Sequence, residues 1–215
     1  MNKYRVMEQV RREKIVAIAR VKTQEQALAA VGALIEGGIR CIELPVTVPY
    51  AHTVLENVAR RFDGNGVCLG AGSILDAESA RIAIMSGAKF LVTPTVSEQT
   101  IRIANRYGIP VFPGVATATE ALLALECGVD AVKLFPAAQY SPNIIKDLRA
   151  PLPNLEIIPV GGVNAENLAG WLQAGAFACG IGGSLLAGIG EGDLARITRT
   201  ARTLTDIVKG CCHAR

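Results

Sequence analysis

Lys133 stands in the middle of Val-Asp-Ala-Val-Lys-Leu-Phe-Pro-Ala, residues 129–137, a segment that otherwise reads as a short buried strand. An ammonium in such a place is costly unless it is paired or gives up its proton. As a paired cation Lys133 is structural. As a desolvated amine with a lowered pKa it is a nucleophile of the kind that forms Schiff bases with carbonyl compounds. Of the seven lysines in the chain it is the one inside an apolar strand: Lys89 precedes its strand, and Lys3, Lys14, Lys22, Lys146 and Lys209 fall in helices or connections.

A second ionisable group interrupts a second apolar run, Cys-Ile-Glu-Leu-Pro-Val-Thr-Val-Pro. Glu43 reads either as an ion-pair partner for Lys133 or as the general acid/base that Schiff-base chemistry requires beside the amine. A third run ends Gly-Ala-Gly-Ser, where small residues permit close approach to the backbone and Ser73 offers a hydroxyl. A plain strand-to-helix turn capped by Asp76 is the alternative. Two further runs end in paired glycines, Val160-Gly161-Gly162-Val163 and Gly182-Gly183-Ser184. Both pairs are expected at helix N-termini, where backbone N–H groups can converge on an anion, although tight turns alone explain the pattern. Arg20 closes the first run, as an anion-binding cation or as a solvated rim residue.

These positions need a scaffold that brings strand ends together. Apolar runs alternate regularly with amphipathic stretches, and strands are expected at 15–20, 41–46, 67–72, 90–94, 111–115, 131–136, 156–160 and 178–181. Helices expected between them include 23–36, 76–86, 97–107, 117–126 and 164–173. They open on Thr23, Asp76, Ser97, Thr117 and Asn164 and close on Gly37, Gly87, Gly108, Gly128 and Gly175. Eight β-α units in 215 residues predict one α/β domain, residues 1–215, folded as a (β/α)8 TIM barrel with an extra N-terminal helix. Residues 1–14 are the leading helix and 210–215 a C-terminal tail. A doubly wound open sheet is the alternative topology. In a barrel the chemistry sits at the C-terminal ends of strands, where Lys133, Glu43, Ser73, Arg20 and the glycine pairs all fall.

The composition excludes other classes. Half of the residues are hydrophobic, yet no apolar run approaches a membrane span. The net charge of +3 comes from interspersed signs, which argues against nucleic acid as a partner. Two histidines, His52 and His213, are too few for a His-rich metal site or a Ser-His-Asp triad, so no metal is expected. Six cysteines lack C-x-x-C spacing, and the charged N-terminus lacks a signal peptide's apolar stretch, so the expected compartment is the cytoplasm.

Together, Ile42-Glu43, Gly70-Ala71-Gly72-Ser73, Val132-Lys133-Leu134-Phe135-Pro136, Val160-Gly161-Gly162-Val163 and Gly182-Gly183-Ser184 resemble the family of 2-keto-3-deoxy-6-phosphogluconate (KDPG) and 2-dehydro-3-deoxy-6-phosphogalactonate (KDPGal) aldolases. The resemblance runs from about Ile15 to Leu204. It implies a class I aldolase, a lyase that cleaves a phosphorylated keto-deoxy sugar acid to pyruvate and glyceraldehyde 3-phosphate. Lys133 would carry the imine, with no other cofactor, and Glu43 would shuttle protons. By the same resemblance Ser73 lies near the pyruvate carboxylate, Gly161, Gly162, Gly183 and Ser184 hold the phosphate, and the assembly is a cytoplasmic homotrimer. Thr47 stands where gluconate-type members carry arginine, and Glu43-Leu44-Pro45-Val46-Thr47-Val48-Pro49 is closer to the galactonate-type pattern E-x-P-x-N-S-P. Thr47-Val48 replaces the usual Asn-Ser, so Arg20 and Thr47 join the expected substrate-binding residues. Alternatives on the same barrel are a phosphosugar isomerase or epimerase, a 2-keto-acid aldolase of shifted substrate range, and a non-catalytic phosphate-ligand-binding protein.

Overall fold

The computed structural model describes residues 2–213. In chain order its elements are α1 (Lys3–Glu13), β1 (Ile15–Ile18), α2 (Gln24–Glu36), β2 (Cys41–Pro45), α3 (Ala51–Arg61), β3 (Cys68–Gly72), α4 (Ala77–Met85), β4 (Leu91–Val92) and α5 (Glu98–Arg106). They continue as β5 (Val111–Phe112), β6 (Gly114–Val115), α6 (Ala118–Glu126), β7 (Val132–Leu134), α7 (Ile144–Arg149), β8 (Ile157–Pro159), α8 (Leu168–Gln173), β9 (Cys179–Ile181) and α9 (Leu194–His213).

All strand pairs are parallel, and the sheet curls in the manner of a TIM barrel. One ladder runs β5-β4-β3-β2-β1-β9 and the other β6-β7-β8. The expected fifth strand is divided by Pro113, so the lysine strand, sixth in the sequence, is β7. Val111 and Phe112 pair with β4, whereas Gly114 and Val115 pair with β7. On the far side a parallel bridge between Val160 and Gly180 links the end of β8 to β9.

Local chemistry explains the elements. Side chains of Thr23, Asp76, Ser97 and Thr117 accept from the N–H three residues on, and Thr117 with Glu120 forms a full capping box. Gly87, Gly108, Gly128 and Gly175 all take left-handed φ after their helices, a conformation that glycine adopts without steric cost. After α2 that role falls to Gly38 rather than Gly37. Asn164 caps a turn rather than a helix: its Oδ1 accepts from Glu166 and Asn167, and α8 starts only at Leu168. The expected tail is also corrected, because α9 continues through His213 and carries Cys211 and Cys212 within it.

The period-two alternation of the strands divides the core into two layers. Ile15, Ala17, Ile42, Leu44, Leu69, Ala71, Val132 and Leu134 face the helices. Val16, Cys41, Cys68, Phe90, Phe112, Ala131 and Ile158 form the interior cluster, which includes Val6 and Val10 of α1. The leading helix therefore closes the N-terminal end of the sheet. Asn2 caps it, Lys3 pairs with Asp130 at 2.7 Å, and the Lys14 carbonyl accepts from Cys179 at 2.8 Å.

Candidate active site

Parity places the two charges. Ala131, just before β7, belongs to the interior cluster and Val132 to the outer one, so Lys133 returns inward. On β2, Cys41 is interior and Ile42 outer, so Glu43 is inward as well. Lys133 lies in register between Gly114 and Ile158, and Glu43 between Ile18 and Gly70. Lys133 is 9% exposed and Glu43 3%.

Burial governs both titrations. It pushes the Glu43 carboxyl up from 4.5 to about 7, against the opposing pull of the positive charges on Lys133 and Arg20. It also lowers the Lys133 ammonium from its ordinary value of 10.5; Glu43 resists this and Arg20 adds to it. Each group thus feels the other, and both sit closer to neutrality than they would in water. The Lys133 ammonium also lies 4.7 Å from the centroid of the Phe135 ring.

The two side chains share a cavity of about 510 Å³ at the C-terminal ends of the strands. Arg20, Ser73, Gly161, Gly162, Gly183 and Ser184 line it too, so eight of the nine sequence-selected residues converge. Thr47 does not join them: it is exposed on the β2–α3 connection and is outside the lining of this cavity. Ser73 leaves β3 with a left-handed φ of 59°. Gly161 and Gly162 take φ of 89° and 86°, which explains glycine at both positions.

The glycine pairs were expected at helix N-termini, and the structure corrects this. Several turn residues separate Gly162 from α8, and a longer irregular segment separates Gly183 from α9. The N–H groups of Gly162, Gly183 and Ser184 nevertheless donate to no protein acceptor among the described residues. Three donors without protein partners, facing one cavity lining with Arg20, suit a polyanionic group. Phe135, Pro94 and Asn164 also line the cavity, and sequence reasoning assigned them no chemistry. For Asn164 the available signal was its place directly after a glycine turn.

A larger cavity, about 610 Å³, lies at the opposite end of the sheet and is lined by Arg11, Lys14, Arg149, Glu156 and Phe177. Its cations are already engaged: Glu156 accepts from Arg11 and Arg149, and the Phe177 carbonyl accepts from Lys14. It holds none of the sequence-selected residues.

The family model "Aldolase: KDPG and KHG aldolase" matches residues 6–200. The chain belongs to this family of aldolases. It is 40% identical over 172 residues to the 2-dehydro-3-deoxy-6-phosphogalactonate aldolase of Escherichia coli (strain K12), covering 80% of this chain and 83% of that one. It is 32% identical over 208 residues to the 2-dehydro-3-deoxy-phosphogluconate aldolase of Treponema pallidum (strain Nichols), covering 94% and 97%. A solved structure named "Native KDPGal structure" superposes with a TM-score of 0.85 at 36% identity, over 93% of this chain and 96% of that chain. An aldolase is a lyase, and a buried amine beside a buried carboxyl is the equipment of a Schiff-base aldolase. No helix among the described residues is long and apolar enough to cross a membrane.

Proposed function

We propose that this chain is a class I aldolase that cleaves a 2-keto-3-deoxy-6-phospho sugar acid, of the gluconate or galactonate type, to pyruvate and glyceraldehyde 3-phosphate. One observation carries the reading: Lys133 and Glu43, both desolvated and electrostatically coupled, line one cavity at the strand ends.

The neutral Lys133 amine adds to the C2 ketone, and loss of water gives an iminium. A base removes the C4 hydroxyl proton, the C3–C4 bond breaks, and its electron pair moves into the iminium. Glyceraldehyde 3-phosphate departs and pyruvate remains on Lys133 as an enamine. Protonation at C3 and addition of water then release pyruvate and restore the amine. Glu43, titrating near neutrality, can take and return these protons at physiological pH. Arg20 and Ser73 receive the substrate carboxylate. The turns at Gly161, Gly162, Gly183 and Ser184 receive the phosphate.

We read the curled sheet as a complete (β/α)8 barrel with α1 as its extra element, and the enzyme as a cytoplasmic homotrimer. Leu75, Ile82 and Met85, beside and on α4, are exposed apolar side chains suited to contact between copies. A designed cage that fuses symmetric oligomeric domains matches 94% of this chain and 74% of that chain, with a TM-score of 0.86 at 35% identity.

Borohydride reduction in the presence of pyruvate is the test. It is expected to add mass irreversibly at Lys133. No adduct, together with turnover surviving Lys133→Ala, overturns the reading and leaves an isomerase or a binding protein. Pyruvate release from the gluconate and galactonate substrates, side by side and with or without the 6-phosphate, fixes the substrate.

A further inference from the structure

Strand β3 reads Cys68-Leu69-Gly70-Ala71-Gly72, and its alternation sends Cys68, Gly70 and Gly72 to the inner face. Two of these three inward positions carry no side chain. A β-carbon on Gly70 would fall on the ring of Phe90. A β-carbon on Gly72 would overlap Oε1 and Cδ of Glu43 and lie 2.7 Å from its Cγ. Contacts that close are not tolerated by real β-carbons, and the obstructing atoms belong to a buried side chain.

Backbone conformation does not demand glycine here, because Gly72 is not among the residues with positive φ. Space demands it. In the parallel register Glu43 pairs with Gly70 and Pro45 with Gly72, so the Glu43 side chain leans toward the cavity end and comes to rest over Gly72. The peptide surface of β3 then covers one side of the carboxyl. What approaches the backbone in this glycine segment is the protein's own carboxyl group, where the sequence suggested a ligand.

We propose that Gly72 is a positioning residue: the room left by its absent side chain seats the Glu43 carboxyl and keeps water from one side of it. This rests on the proton-transfer role of Glu43 given above. A methyl group at position 72 would drive the carboxyl off its seat toward the open cavity, where it regains water. The displaced group would be both misaimed and more acidic.

The test is a cycle of four proteins, wild type, Gly72→Ala, Glu43→Ala and the double variant, read by steady-state kinetics, pH profile and thermal unfolding. Gly72→Ala is expected to lower kcat by about a hundredfold, the scale of a small misplacement of a reacting group, and to leave KM nearly unchanged. The ascending limb of its kcat–pH profile moves to lower pH, a shift that simple loss of packing does not produce. Both its kcat penalty and its loss of melting temperature vanish in the Glu43→Ala background. A Gly72→Ala enzyme with wild-type kcat and profile, or a penalty equally large with and without Glu43, overturns the proposal. If Gly72→Ala does not fold, the double variant decides: folding supports the seat and failure to fold overturns it. A wild type that forms no imine with pyruvate sinks the aldolase reading instead, and the melting-temperature half of the cycle still tests the seat.

Discussion

The Lys133 ammonium lies 4.7 Å from the centre of the Phe135 ring, two residues further along the same segment. The face of an aromatic ring attracts a cation, so this contact favours the charged form that burial opposes. Phe135 is 42% exposed and flanks Gly161, where a β-carbon would lie 3.2 Å from the ring. Phe135→Leu removes the attraction, worth about 0.5–2 kcal/mol, and lowers the pH at which the amine becomes nucleophilic. The rate of pyruvate trapping by borohydride against pH reads this directly; an unmoved midpoint refutes the contact's role.

Replacing Lys133 tests the nucleophile. Lys133→Ala leaves no amine, and Lys133→Arg leaves a guanidinium that cannot deprotonate in a protein. Both are expected to abolish pyruvate release and the borohydride adduct, with circular dichroism unchanged. Turnover retained in Lys133→Arg would point to charge rather than nucleophilicity.

With the proton-transfer role proposed for Glu43, catalysis and stability are expected to depend on pH in opposite directions. Its folded pKa of about 7 stands above the ordinary 4.5. Between those values the folded chain keeps a proton that the unfolded chain has lost, so this group makes stability fall as pH rises through that window. Lys133, lowered from 10.5, makes stability rise with pH between its folded value and 10.5. The base form of Glu43 grows over the same window, so wild-type kcat climbs toward a plateau above about pH 7. Glu43→Gln should lower kcat by about 10²–10⁴-fold and gain melting temperature relative to wild type from acid to mildly alkaline buffer. A constant difference in melting temperature across pH would contradict the raised carboxyl pKa.

Gly114 presses on the chain beneath the site. A β-carbon there would overlap the Pro94 carbonyl and lie 3.0 Å from Pro94 Cα, and backbone cannot swing aside as a side chain can. Gly114→Ala should cost about 1–3 kcal/mol in urea denaturation, the usual range for overpacking. A neutral result would show that β6 can shift away from Pro94.

Among the described residues no three His, Cys, Asp or Glu side chains gather as a metal site. A chelator should therefore leave pyruvate release unchanged, and loss of activity restored by a divalent cation would reassign the chemistry.

Much of this arrangement could be read from the chain because parity carries it. Once 41–46 and 131–136 are strands with apolar neighbours, Glu43 and Lys133 must share a face with Cys41 and Ala131. Caps were legible where a side chain does the capping, as at Thr23 and Asp76. Helix α3 was harder, since Tyr50 before it takes a left-handed conformation and offers no side-chain cap. Helix α7 likewise has no side-chain cap at Asn143. The break at Pro113 depends on which neighbour each half-strand meets, and that is settled by the curl of the whole sheet. Thr47 shows the same limit in the site: its place in a motif is set by sequence, whereas its distance from the cavity is set by the path of a loop.

Helix α1 and the interior cluster plug the N-terminal end of the sheet, behind the cavity at its C-terminal end. Traffic through a dead-end vessel is last in, first out. On the proposed mechanism, pyruvate held on Lys133 waits for the aldehyde above it to leave, and in the synthetic direction it is loaded first. On that mechanism the covalent bond sets the order of release, and the leading helix, which supplies none of the cavity lining, closes the rear of the sheet.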